Sequence, residues 1–189
     1  MDGNDKKTRI TAAATKLFSA NGVRNTTIGE IAKTAGIGKG TIYYYYNDKT
    51  EILLDCYMKH IKVTRQRAFE RSSEEKDLLF RIEKFLRYIS EEARHDPFVA
   101  TLVAEYREYR LAEIDLCFKH SEEDAVQILS AMVKSGIEQG SLSDVPLPLT
   151  AFLLVRMMLA YNLDYQKNEK SDEEFLSLLK NMLEKKQDC

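Results

Sequence analysis

The sequence predicts an all-α chain of about nine helices, and three observations carry that expectation. Glycine and proline are scarce, 8 and 3 in 189 residues, which disfavours many short strands joined by turns. Apolar residues recur at spacings of three and four along almost the whole chain, the period of a helix with one buried face. Helix-start signals, a short polar residue followed three positions later by a carboxylate, punctuate that pattern. A hydrophobic content of 44% beside 31% charged residues is that of a chain with a core, not a disordered one.

Each element can be justified in order. Ile10, Ala13, Ala14, Leu17 and Phe18 make the first apolar stripe, which Asn21-Gly22 ends. Thr27-Ile-Gly-Glu30 is a capping box: the hydroxyl accepts from the third backbone N–H and the carboxylate reaches back. It opens a short helix, IGEIAKTA, that stops at Gly36. Gly38 begins a second short helix to about Tyr46, and Asp48-Lys-Thr-Glu51 opens a long one to about Arg71. A helix is expected from about Glu74 to Arg94. Asp96-Pro97, an N-cap followed by proline at the first helical position, starts the next, which runs to about His120 with room for one break. Ser121 to Asp124 is expected to open another, ending near Gly136 to Gly140. SLSDVPLP is the clearest linker. An apolar helix over 147–166 follows, and Ser171 to Glu174 caps a last amphipathic helix through about Lys186. TIYYYY has the composition of a strand but is short and lies between a helix start and a cap.

Charge and cysteine usage narrow the function classes. The net charge is −2, yet residues 1–66 hold 11 Lys/Arg against 6 Asp/Glu, while the remainder holds 17 against 24. A basic head on an acidic body points to a polyanionic partner for the head, although a solvated charged face gives the same count. Cys56, Cys117 and Cys189 are odd in number and far apart, which suits reduced thiols. Cys56 and His60 share a helix face, but two ligands do not make a metal site, and none is expected. No apolar run reaches the roughly 18 residues of a membrane span; Leu147 to Tyr161 is interrupted by Pro148 and Arg156. The charged N-terminus, MDGNDKKTRI, lacks a signal-peptide core, so a cytoplasmic protein is expected. There is no Ser-His-Asp arrangement, glycine-rich phosphate loop or HExxH, so no enzyme and no cofactor is expected.

Two short helices joined by a tight turn, IGEIAKTA-GI-GKGTIYYYY, form a helix-turn-helix candidate. The geometry needs one helix to cross the DNA backbone and a second to enter the major groove. Gly36 suits the turn, Gly40 lets backbone approach a base edge, and Thr41 offers both a hydroxyl and a methyl for base contact. The bland alternative is a tyrosine-rich helix that merely packs on its neighbours. Of the four tyrosines, Tyr46 lies four residues after Ile42 on the same face and should close a core. Tyr45 should sit at that core's edge, and Tyr43 and Tyr44 should face outward.

Residues 9–58 resemble the DNA-binding domain of the TetR family of transcriptional regulators. The resemblance rests on Ile10, Ala13-Ala14, Leu17-Phe18, Gly22, Thr26-Thr27-Ile28, Ile31-Ala32, Ala35-Gly36, Lys39-Gly40-Thr41-Ile42 with Tyr43 to Tyr46, and Lys49, Glu51 and Ile52. It implies domains of 1–47 for DNA binding and 48–189 for ligand binding and dimerisation, with the helix over 48–71 joining them. It also implies a homodimer on a near-palindromic DNA operator, released by a small hydrophobic or amphipathic effector. Carried over by residue, Thr27, Gly38, Lys39, Gly40, Thr41, Tyr43, Tyr44 and Lys49 are the DNA-facing set. Within it, Tyr43 and Lys49 face phosphates. Gly38 stands where the family commonly has Ser or Thr, and Tyr46 where Phe is usual.

The resemblance further implies that the helices over 147–166 and 171–186 build a four-helix bundle with their mates across a two-fold axis, with Phe152, Val155, Leu159, Phe175, Leu179 and Met182 at the interface. The alternative is an ordinary monomer core. Candidate effector contacts are Phe85, Tyr88, Phe98, Leu102, Tyr106, Tyr109, Phe118, Met132, Met157 and Tyr161, although such stripes are more often plain core. Arg156, alone in an apolar helix, needs a partner, which is an anionic ligand, an acidic residue such as Glu105 or Glu108, or one across the dimer; a structural ion pair is favoured over a ligand anchor. The expectation is therefore a ligand-responsive regulator, acting as a repressor. An activator of the same fold, or a helical interaction module without operator binding, is the alternative.

Overall fold

A computed structural model describes residues 3–165 and 168–183, so Cys189 and the expected end of the last helix at Lys186 lie outside the described residues. In order the helices are α1 (Gly3–Asn25), α2 (Ile28–Ala35), α3 (Lys39–Tyr45), α4 (Lys49–Ser73), α5 (Leu78–His95), α6 (Pro97–Tyr109), α7 (Ala112–Glu138), α8 (Leu147–Ala160) and α9 (Glu169–Leu183). A π-helical turn, Tyr161–Tyr165, extends α8. The fold is all-α, with no strand among the described residues.

The starts follow the expected chemistry at four places. Thr27 and Glu30 form the full capping box of α2. Gly38 caps α3 without a side-chain bond. Asp48 Oδ1 accepts from the Glu51 N–H at 2.9 Å, while the Glu51 carboxylate reaches back to the Asn47 N–H at 2.8 Å. Asp96 accepts from the Phe98 and Val99 N–H groups, each at 3.0 Å.

Three expectations need correction. The helix placed from Glu74 begins at Leu78, because Asp77 Oδ1 takes the Leu79 and Phe80 N–H groups. No helix starts at Ser121: the chain breaks at Arg110, which adopts φ 51° and ψ 43°, and α7 then runs unbroken through Ser121 to Glu138. Ser121 is buried, and its carbonyl accepts from Arg65 Nη2 at 2.5 Å. The α9 cap sits one turn earlier than expected, at Asn168, whose Oδ1 accepts from the Ser171 N–H at 3.0 Å. Ser171 and Asp172 are instead buried around the Tyr161 hydroxyl, which lies 2.8 Å from Ser171 Oγ and donates to Asp172 Oδ1 at 2.6 Å.

The chain divides into two compact units, Met1–Lys62 with Arg94–Lys119, and Val63–Ala93 with His120–Cys189. In the first, α1 packs on α2 and α6, and α2 on α3. Its core holds Ile10, Phe18, Ile31, Ile42, Ile52 and Leu53, all fully buried, each contributing about 1.5–3 kcal/mol by leaving water. Cys56 and Cys117 are also buried there, and burial pushes their thiols up to about 11 and about 12. The second unit is built around Leu79, Ile82, Leu86, Val133, Leu154, Leu176 and Leu179. Its run Leu147–Tyr165 is the one described helix long and apolar enough to cross a membrane by length and composition. It continues past the Tyr161 boundary because the π-turn adds Asn162, Leu163, Asp164 and Tyr165.

One polar contact seats α3 on α4. Tyr46 is 5% exposed, and its hydroxyl donates to Asp55 Oδ2 at 2.5 Å. Lys59 and Lys7 hold the same carboxylate at 3.1 and 3.4 Å. Burial pushes the Asp55 carboxyl up, but the bonds from Tyr46 and Lys59 and the charges of Lys59 and Lys7 outweigh it, so the group sits below its ordinary 3.8. Burial, then the Asp55 bond, pushes the Tyr46 phenol above its ordinary 10.0. A depressed carboxyl stabilises the fold above about pH 4 and loses that contribution as pH falls through its lower folded value. A raised phenol contributes fully below pH 10 and loses its share as pH rises further. Tyr46→Phe should cost about 1–2 kcal/mol at pH 7. In urea melts across pH, the deficit against wild type should shrink below pH 4; a deficit independent of pH would rule out the bond as its source.

Candidate nucleic-acid interface

The two-helix motif is held by groups from outside it. The α2–α3 turn closes on Gly36 (φ 63°, ψ 40°), whose N–H bonds Lys33 O at 3.2 Å while the Ile37 N–H bonds Ala32 O at 3.0 Å. Arg9 Nη2 from α1 donates to Ala35 O at 2.6 Å and Gly36 O at 3.2 Å, covering carbonyls that the helix end leaves unpaired. Lys49 Nζ donates to Val23 O at 2.5 Å and Thr26 O at 3.1 Å, just before α2. An ammonium has three donors, so one N–H remains to Lys49 beyond these carbonyls. Thr27, exposed at the start of α2, engages its hydroxyl with Glu30.

The faces of α3 separate sharply. Ile42 is fully buried beside Tyr46, whereas Tyr43 is 50% and Tyr44 82% exposed. Tyr45 is half-buried and meets Tyr44 edge-on, with ring centroids 5.0 Å apart. Lys39 Nζ stands 5.9 Å from the centre of the Tyr43 ring. Gly38, Lys39 and Gly40 are exposed and Thr41 is half-buried. A Cβ added at Gly38 or Gly40 would meet nothing within 4 Å, so no packing in the chain requires glycine at either position. The result is a short helix with a basic start, two flat aromatic side chains in solvent and room for close backbone approach. Such a surface can neutralise phosphates and bring polar groups to base edges.

The candidate effector residues fall into both compact units. Phe98, Leu102, Tyr106, Tyr109 and Phe118 belong to the first. Phe118 stands edge-on to Tyr106 at 5.4 Å and to Tyr57 at 5.7 Å, while Tyr109 is exposed under the Arg24 guanidinium at 4.2 Å. Phe85, Tyr88, Met132, Arg156, Met157 and Tyr161 belong to the second. There Phe85, Tyr88 and Met132 lie in the main apolar cluster with Met157 packed against it, and Tyr161 stacks flat on Phe175 at 4.2 Å. Arg156 pairs with Glu122, Nε to Oε1 2.9 Å, and not with Glu105 or Glu108. Cys56 and His60 face different groups, the Thr11 carbonyl and Asp96.

Of the residues expected at a dimer interface, Phe152 and Met182 are exposed, and Leu159 and Phe175 half-buried. Val155 and Leu179 are buried in the chain's own core and offer no area to a second copy. Leu149, Leu153 and Leu178, outside the expected interface set, are exposed in the same two helices. The helical period alone does not say which of several apolar faces points outward. Asp55 and Arg9 were also missed. The Tyr46 hydroxyl, which needed a partner, was the one available signal for Asp55.

Residues 10–56 match the model of the bacterial regulatory proteins of the tetR family. The chain is 26% identical over 163 residues to the uncharacterized HTH-type transcriptional regulator YhgD of Bacillus subtilis, covering 86% of this chain and 85% of that one. It is 37% identical over 68 residues to an HTH-type transcriptional regulator of Staphylococcus aureus strain USA300, covering 32% of this chain and 37% of the relative. These relatives are regulators, not enzymes. Among solved structures, RolR in complex with resorcinol superposes with a TM-score of 0.80 at 17% identity, covering 96% of this chain and 88% of that one. Thermus thermophilus FadR, a TetR-family repressor in complex with lauroyl-CoA, gives 0.68 at 22%, covering 96% and 97%. The family match reaches from the first apolar stripe to just past Asp55, and so takes in both helices of the motif and the bond that seats the second: residues 10–56 are the part of the chain that matches the tetR family of bacterial regulatory proteins.

Proposed function

We propose that this regulator is a cytoplasmic repressor that binds a near-palindromic operator as a homodimer and leaves it when a small hydrophobic or amphipathic ligand binds. The observation that carries the DNA-reading face is the division of α3. Ile42 and Tyr46 turn inward, while Lys39, Gly40, Tyr43 and Tyr44 stand in solvent with open space around Gly40. In this reading Lys39, Tyr43 and the remaining N–H of Lys49 meet phosphates, Thr27 and Gly38 bring helix starts close to the backbone, and Gly40, Thr41 and Tyr44 meet base edges. Residues 1–47 read DNA, and 48–189 sense ligand and dimerise.

The exposed apolar side chains of α8 and α9, Leu149, Phe152, Leu153, Leu178 and Met182, support a second copy as their cover, since a large exposed apolar patch marks an interaction surface. A two-fold dimer places two α3 helices roughly 34–36 Å apart, one turn of DNA. Effector chemistry is supported by the fold neighbours, one holding resorcinol and one lauroyl-CoA, and by the aromatic side chains within each unit. A ligand releases the operator only through its differential affinity for the two dimer states.

The reading is tested with a duplex selected by the wild-type chain from a random-sequence pool. Log Kd should change steeply with log salt, and a flat response would sink the proposal. Gly40→Ala should leave the thermal midpoint unchanged or raise it, because its methyl meets no protein atom, yet weaken the duplex about tenfold or more. Equal binding by Gly40→Ala would move the reading face elsewhere. Leu178→Asp with Met182→Asp should give monomers in sedimentation while helical content persists; a dimer that survives both changes would place the interface on another surface.

A further inference from the structure

One face of α6 carries three contacts to α1 in register. Thr101 Oγ1 donates to Ser19 O at 3.2 Å. One turn on, Glu105 accepts from the Val23 N–H at 2.6 Å and the Arg24 N–H at 3.3 Å. One turn further, the Tyr109 ring lies under the Arg24 guanidinium at 4.2 Å. Residues 101, 105 and 109 are four apart, so they lie along one face of the helix.

The middle contact falls where the reading motif begins. Gly22 leaves helical geometry at φ 80° and ψ 168°, a conformation open almost exclusively to glycine. A Cβ there would also run into the Glu105 carboxylate. The next residue, Val23, is clamped from both sides: its N–H goes to Glu105 on α6 and its carbonyl to Lys49 on α4. Thr26 Oγ1 donates back to Gly22 O at 2.7 Å, and α2 starts two residues later. The direction in which α2 and α3 leave α1 is thus set by a bend that a carboxylate from α6 holds.

We propose that Glu105 is a positioning residue for DNA reading: it touches no DNA but fixes the α1–α2 junction, and through it the pose of α3. An alanine at 105 leaves two N–H groups without their acceptor and frees the bend. A glutamine keeps one carbonyl oxygen for Val23.

The test uses full-length Glu105→Ala and Glu105→Gln with the duplex selected by wild type, beside amide hydrogen exchange. In Glu105→Ala the Val23 and Arg24 amides and those of α2 should exchange faster, with α8 unchanged. The Kd should rise about tenfold, the scale of one charge-assisted hydrogen bond, and the salt slope should become shallower as phosphate contacts are lost. Glu105→Gln should recover most of the affinity and of the protection at Val23. The proposal is overturned if Glu105→Ala keeps wild-type Kd and slope, or if exchange accelerates uniformly and the loss of binding equals the unfolded fraction. Should the wild-type chain select no duplex, the DNA reading fails separately. Exchange at Val23, Arg24 and α2 then decides whether Glu105 holds the junction.

Discussion

A seven-residue helix has no stability of its own. Nucleating a helix costs several fixed residues for one hydrogen bond, and peptides this short are largely unfolded in water. α3 therefore exists through what it buries, which is Ile42 and the Tyr46 ring with its hydroxyl on Asp55. That seat lets the remainder of the helix go without internal support. Gly38 gives no side-chain cap, Gly40 weakens helix propensity, and Tyr43 and Tyr44 lie in solvent. Local stability has been given up along one face and restored along the other, the pattern expected where a surface is shaped for a partner.

The same logic extends to the links around the motif. Helix ends leave carbonyls and N–H groups without partners, and here side chains distant in sequence supply them. Arg9 covers the end of α2, and Lys49 and Glu105 take the two sides of Val23. Two of these three are cationic residues that a count of basic charges assigns to DNA. The asymmetry between a basic head and an acidic body is thus partly an internal matter, since some of the positive charge holds backbone.

Much of the architecture was legible because helix starts and apolar periods are local. The capping box at Thr27, the Asp48 cap and the Asp96-Pro97 start stand where the residues put them, although Glu51 reaches back to the Asn47 N–H and not to that of Asp48. So does the inward turn of Ile42 and Tyr46. The failures share a cause. At Ser121 and Ser171 the residue types that cap helices are spent otherwise, Ser121 inside α7 and Ser171 against Tyr161, because burial overrode local preference. Arg156 met Glu122, and Val155 and Leu179 turned into their own core, because the choice among candidate partners or faces depends on packing between distant segments. Charges alone did not reveal Glu105 as a backbone acceptor, since nothing in its neighbours in sequence distinguishes it from Glu108.

The two buried thiols of the first unit have a practical meaning. Thiolate, not thiol, attacks electrophiles and oxidants, and Cys56 and Cys117 are held almost wholly protonated at neutral pH behind apolar cover. Their alkylation has to wait for the unit to open. The rate at which a reagent labels them is then a clock for local opening, read by mass without any introduced probe. Because Cys56 lies on α4 next to Asp55, on which Tyr46 is seated, that clock runs beside the seat of α3 itself.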